Sequence, residues 1–189
     1  MRVSREKFAE NRARILDVAG QLFREKGFDG IGVADIMKAA GLTHGGFYGH
    51  FDSKESLACE ASKVLVDKTK ARWQEIVETA EGDPLDALLR HYLSRRNLKS
   101  QACVFASLTQ EVSRQGARMQ STFAEGLADL ADLLTGIVAG ETPKARRANA
   151  FATLSAMMGA VILARTMEDA DLAEEFLAAT HRQLSRQPA

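Results

Sequence analysis

The segment Thr43-His44-Gly45-Gly46-Phe47-Tyr48-Gly49-His50, with Lys54 four residues further on, gathers groups suited to a polyanion. Tyr48 and His50 can donate hydrogen bonds to phosphate oxygens, and Lys54 adds a positive charge. Three glycines in so short a helix are costly, because each disfavours a helix interior by about 1 kcal/mol relative to Ala. A helix with a purely internal role rarely carries them. Gly45 and Gly46 let the backbone come very close to another surface, and a helix N-terminus offers unpaired N–H groups to an anion. Phe47 and Phe51 sit four apart and are expected to face the core. That leaves His44, Tyr48 and His50 pointing outward.

The flanking elements must hold this segment in place. Residues 33–40 predict a short helix with Ile36, Met37 and Ala40 inward, and Gly41 makes the turn with Leu42 plugging it. Thr43 suits the N-cap of the next helix, which ends near His50 and Phe51. In such a helix–turn–helix the second helix enters the major groove of DNA and the first bridges the backbone. Ahead of it, residues 5–26 place Ile15, Leu16, Ala19, Leu22 and Phe23 on one helical face, with Gly27 as the stop. Behind it, Asp52 and Ser53 open a long helix over 54–80, and Glu55 completes a capping-box pattern with Asp52.

Asp83-Pro84 restarts the chain, with Asp as N-cap and Pro in the first turn. Further helices are expected through Leu93, over 105–114, over 117–138, over 143–167 after Thr142-Pro143, and over 169–185. The result is an all-α fold of about nine helices, with no convincing strand and no internal repeat. Residues 1–52 form an N-terminal three-helix unit built to bind DNA. Residues 53–189 form a larger helical body, joined to it stiffly by the long helix.

Composition agrees with that fold: 46% of the 189 residues are hydrophobic and only three are Pro. A net charge of zero argues against indiscriminate binding of nucleic acid over the whole surface. The first fourteen residues hold Arg2, Arg5, Lys7, Arg12 and Arg14 against Glu6 and Glu10. This stretch is either an arm that reaches phosphates or a solvated, frayed terminus. No apolar run approaches the roughly 20 residues needed to span a bilayer, and no secretory h-region opens the chain. A cytoplasmic location without membrane contact is expected. Cys59 and Cys103 are too few and too far apart for a disulfide framework or a metal site. No His-Glu-x-x-His, nucleophile elbow or phosphate loop is present, so neither enzymatic activity nor a cofactor is expected.

Over residues 10–57 the chain resembles the TetR family of bacterial transcriptional repressors. The resemblance lies in ILDVAGQLFREKGFDGIGV, the turn AAGLT, the aromatic run GGFYGHF and the capping SKESL. It implies a homodimer on a palindromic double-stranded operator, an effector pocket in the C-terminal body, and release of DNA when a small-molecule effector binds. By match to the family motif, Thr43, His44, Gly45 and Gly46 would contact bases or nearby backbone. Tyr48, His50 and Lys54 would hold phosphates, and Ala34 would lie against the backbone. Two departures stand out. Gly32 replaces a common Thr or Ser N-cap, and Gly49 replaces a larger residue.

The last two helices resemble the family's dimer element. Ala148, Phe151, Ala152, Leu154, Ser155, Met158, Gly159 and Ile162 suit close packing there, either across a dimer or within one protomer. Trp73, His91, Tyr92, Phe105, Met119, Phe123 and Met157 are candidates for the pocket lining, with plain core packing as the alternative. The segment Gln101-Ala102-Cys103-Val104-Phe105-Ala106-Ser107-Leu108 resembles a branch of the family with a Cys there, some members of which respond to electrophiles or oxidants. Arg95, Arg96 and Lys99 would favour its thiolate. The alternative is a small buried apolar residue. Competing functions are a helical enzyme or carrier with a family-like front end, and a dimeric small-molecule-binding or adaptor protein that has lost operator binding.

Overall fold

The computed structural model describes residues 5–100 and 103–186. Among them the chain is all-α, with nine α-helices, one 3-10 helix and no strand. Helix α1, Arg5–Lys26, buries Ile15, Ala19 and Phe23 and ends where Gly27 turns left-handed, at a φ of 76°. Helix α2, Val33–Ala39, ends in the same way at Gly41, whose φ is 69°. The N–H groups of Gly41 and Leu42 close that turn on the carbonyls of Lys38 and Met37.

The next element departs from expectation. His44–Gly49 forms a 3-10 helix rather than an α-helix. Its Gly46 N–H bonds to the carbonyl of Thr43, and His50 N–H to that of Phe47. Three poor helix formers in six residues leave too little propensity for the α form. Thr43 holds the N-cap position, but its side chain makes no capping bond. The capping box on Asp52 is also absent: Ser53 is the N-cap of α3, its Oγ accepting from Ser56 N–H at 3.0 Å.

Helix α3, Lys54–Glu78, is the spine, packed on α1 along one face and on α7 along another. Helix α4 is Pro84–Tyr92, capped by Asp83 as expected. A short α5, Arg95–Ser100, had no signal in the sequence reading, because RRNLKS lacks an apolar period. Helices α6 (Val104–Val112), α7 (Ala117–Thr135), α8 (Pro143–Arg165) and α9 (Ala170–Leu184) complete the body. The α3–α7 crossing is tight: a Cβ on Gly126 would come within 2.4 Å of Val66 Cγ1. The apolar core runs unbroken from Ile15 to Leu184, across the expected boundary at residue 52.

Helix α8 is long and apolar enough, by length and composition, to cross a membrane, although no uninterrupted apolar run in it approaches roughly 20 residues. Its Ala, Leu, Met, Val and Ile raise the average, while Thr153, Ser155 and Gly159 interrupt them. Buried residues make up 39% of that window.

Candidate functional site

Helix α2 and the 3-10 helix present one exposed surface. Thr43, His44, Gly45, Gly46, Gly49 and Tyr48 are all exposed on it, Tyr48 at 70%. Ala34 is exposed at the start of α2, and Lys54 is half-buried at the start of α3. The element is anchored from beneath by Phe47 and Phe51, both buried, with ring centroids 5.8 Å apart. None of the three glycines is required by the fold. A Cβ at Gly45 or Gly49 would meet nothing within 4 Å, and one at Gly46 would make only ordinary contacts.

His50 sits differently from expectation. Its ring stacks under Phe8 at 4.1 Å, it is half-buried, and its Nδ1 has no partner among the described residues. Burial, followed by the nearby Arg12 charge, lowers its pKa. Much of the basic N-terminal stretch is also used internally. Arg12 pairs with Glu60 on α3 and lies over the Phe51 ring at 4.7 Å. Arg14 donates to the carbonyl of Ala40, and Lys7 pairs with Glu10. Residues 5–14 of this stretch are helical, and Arg2 lies outside the described residues.

A second site lies between α1 and the body. A cavity of about 260 Å³ has Trp73, Tyr92, Asn97 and Cys103 as its buried floor. Its rim carries Asp17, Gln21 and Arg24 from α1, Lys68 and Arg72 from α3, and His91 from α4. Trp73 and Tyr92 meet edge to face at 5.4 Å. Four of the expected lining residues (Trp73, His91, Tyr92 and Cys103) therefore come together here. Phe105, Met119, Phe123 and Met157 do not; they are core. Phe105 packs edge-on to Phe123 at 5.4 Å. The contribution of α1 was not foreseen, because no spacing within α1 marks polar residues that face a distant helix.

Cys103 is the N-cap of α6, and its Sγ accepts from Tyr92 O–H at 3.1 Å. Burial, then the adjacent Cys103, pushes the Tyr92 pKa well up. The expected cations are placed otherwise. Arg95 pairs with Glu174 on α9, and Arg96 contributes to the field at His91. Gln101 and Ala102, and the Lys99 side chain, lie outside what is described. Arg165 of α8 takes their place: its charge interacts with Cys103 and Tyr92, and its Nη1 donates to Ser107 Oγ at 3.1 Å. An Arg ending the apolar run VILAR was the one available signal for it. Among the described residues, no group of three or more His, Cys, Asp or Glu could hold a metal ion.

The two sites are joined through α6. Cys103 caps its first turn, and Glu111 in its last turn accepts from Phe28 N–H at 2.7 Å, just past the end of α1.

Residues 15–61 match the sequence profile of the bacterial regulatory proteins, tetR family. The chain belongs to the TetR family of transcriptional regulators. Among relatives, the HTH-type transcriptional repressor KstR2 of Rhodococcus jostii (strain RHA1) is 42% identical over 66 residues, which are 35% of this chain and 32% of that protein. The HTH-type transcriptional repressor NemR of Escherichia coli (strain K12) is 27% identical over 131 residues, 67% of this chain and 66% of its own length. The chain thus spans about a third of one relative and just under two thirds of the other. The fold of the TetR-family chain is shared with reduced E. coli NemR, at a TM-score of 0.79 and 22% identity over 95% of this chain and 99% of that one. A TetR-family regulator from Agrobacterium tumefaciens gives 0.81 and 24% over 96% and 99%.

Proposed function

We propose that this TetR-family protein is a ligand-responsive repressor that binds a palindromic operator as a homodimer. In this reading residues 1–52 bind DNA in the cytoplasm, and residues 53–189 sense the effector and dimerise. Thr43, His44, Gly45 and Gly46 contact bases or adjacent backbone, with Ala34 against the sugar–phosphate chain. Tyr48 and Lys54 hold phosphates. His50 reaches one only if its stack under Phe8 opens.

One observation carries the reading. Gly45, Gly46 and Gly49 are all exposed on one short element, and no contact within the protein explains them. Their cost is offset if a groove of DNA comes where side chains would otherwise stand. The names of KstR2 and NemR as transcriptional repressors support it.

Dimerisation is supported by an apolar face that the protomer leaves exposed. Phe151, Ile162 and Leu163 on α8, with Leu172 and Phe176 on α9, are each 39–49% exposed. Leu154 is excepted from the expected set, because it packs into its own protomer. A patch of this kind marks an interaction surface, and α8–α9 pairing makes a four-helix bundle. Release is triggered in the cavity above Cys103, by a small molecule or a thiol-reactive signal.

A mobility-shift titration against the DNA flanking its own gene tests the proposal. Sequence-selective binding that weakens with salt is expected. Tyr48→Phe and Lys54→Ala should each weaken it. No binding at low salt would favour an adaptor that has lost its operator. Mass spectrometry after mild electrophile treatment tests the thiol route: an unmodified Cys103, or unchanged release in Cys103→Ser, would remove it.

A further inference from the structure

The cavity between α1 and the body has an uneven chemistry. Its floor is largely apolar, with Trp73 and Tyr92 edge to face and Leu65 beside them. Its rim is charged. The lining contains one carboxylate, Asp17, and Lys68 already neutralises it at 2.7 Å. The other charged rim groups are both guanidinium groups: Arg24 on α1, whose Nε donates to the Gly20 carbonyl at 3.3 Å, and Arg72 on α3. Among the described residues Arg72 is tied to Glu75, in a pair whose side chains are 53% and 61% exposed. Such surface pairs contribute little, so Arg72 can turn toward a better acceptor. His91 on the same rim feels the Arg72 charge. Burial lowers its pKa first, and the charges of Arg72 and Arg96 lower it further.

We propose that this cavity binds a small, flat carboxylate, its ring against the Trp73–Tyr92 corner and its anionic group between Arg24 and Arg72. A volume of about 260 Å³ falls just under the range of roughly 300–1,000 Å³ typical of drug-sized ligands, which suits a single-ring acid better than a lipid or steroid. Carboxylate–guanidinium hydrogen bonds are charge-assisted, and stronger where water is partly excluded. The ligand therefore touches α1 directly and bridges the two regions of the chain. Binding itself is independent of the function proposed above; only its consequence for DNA rests on that reading.

Trp73 is the chain's single tryptophan, so its fluorescence reports on this cavity and no other. The full-length protein is titrated with benzoate, and with benzamide as the neutral molecule of the same shape. Benzoate should change Trp73 emission saturably and bind at least tenfold more tightly than benzamide. Arg24→Gln and Arg72→Gln, each checked for an unchanged melting temperature, should each weaken benzoate by about tenfold and leave benzamide alone. Equal binding of the two probes overturns the anionic assignment, as do Arg variants without effect. A calorimetric signal for benzoate that leaves Trp73 emission unchanged places it elsewhere and overturns the site. No binding of either probe at millimolar concentration overturns the ligand class. Operator binding by the free protein, measured separately, is unaffected by any of these outcomes, so the two proposals fail independently.

Discussion

Replacing Gly27 by Ala probes the joint between α1 and α6. At a φ of 76° Gly27 is left-handed, where any L side chain costs about 1–2 kcal/mol. A Cβ there would also lie 2.5 and 2.7 Å from the two carboxylate oxygens of Glu111. The carboxylate must move, and its bond from Phe28 N–H, 2.7 Å long, is lost. A hydrogen bond to a charged acceptor contributes about 1.5–3 kcal/mol; the contact is only part-buried, so the lower end applies. Gly27→Ala should therefore cost about 3 kcal/mol, the strain and the bond together. For a chain of this size that lowers the melting temperature by about 6–12 °C.

Glu111→Ala removes the bond alone and should cost about 1.5–2 kcal/mol. In the Glu111→Ala background only the backbone strain remains for Gly27→Ala. The double variant should then be about 1.5–2 kcal/mol more stable than the sum of the two single effects. Urea denaturation of the four proteins measures this cycle. Additivity within about 0.5 kcal/mol would show that Gly27 and Glu111 do not interact, and the joint assigned to α6 would be wrong.

Three further outcomes are expected. Gly126→Ala should destabilise by about 1–2 kcal/mol, since overpacking against Val66 and Phe105 outweighs the gain in helix propensity; a variant as stable as the parent would mean that α3 and α7 separate easily. His50 and His91 both have lowered pKa values, so the folded chain binds fewer protons than the unfolded chain around the ordinary His value of about 6.5. Stability should be full above that value and decline as pH falls through it toward the folded pKa values, and His91→Gln should flatten the decline in urea midpoints; an unchanged slope would refute the assignment. Ile162→Glu with Phe176→Glu should leave a folded monomer by analytical ultracentrifugation that has lost most of its operator affinity; a dimer that persists would place the interface elsewhere.

Local patterns made most of the fold legible. The period of Ile15, Ala19 and Phe23, the stop at Gly27, and the Asp83-Pro84 and Thr142-Pro143 starts each depend on neighbours within a turn or two. The elements built on them appear with their expected boundaries to within a residue or two. The exposure of Thr43, His44 and Tyr48 was legible for the same reason, since Phe47 and Phe51 on one side of a short helix dictate the other side. His50 was not legible, because Phe8, which covers it, comes from a helix forty residues away.

The sequence by itself determined the all-α class, the helix–turn–helix frame and the outward face of the short helix, because these follow from spacing and local steric preference. The tertiary structure decided which aromatic and sulfur side chains meet at a cavity, and that α1 supplies part of its rim. It also placed Arg165 beside Cys103 in place of Arg95 and Arg96, and tied α6 to the end of α1 through Glu111. Such contacts join residues tens of positions apart. They are set by how whole helices pack on one another, which no local spacing encodes.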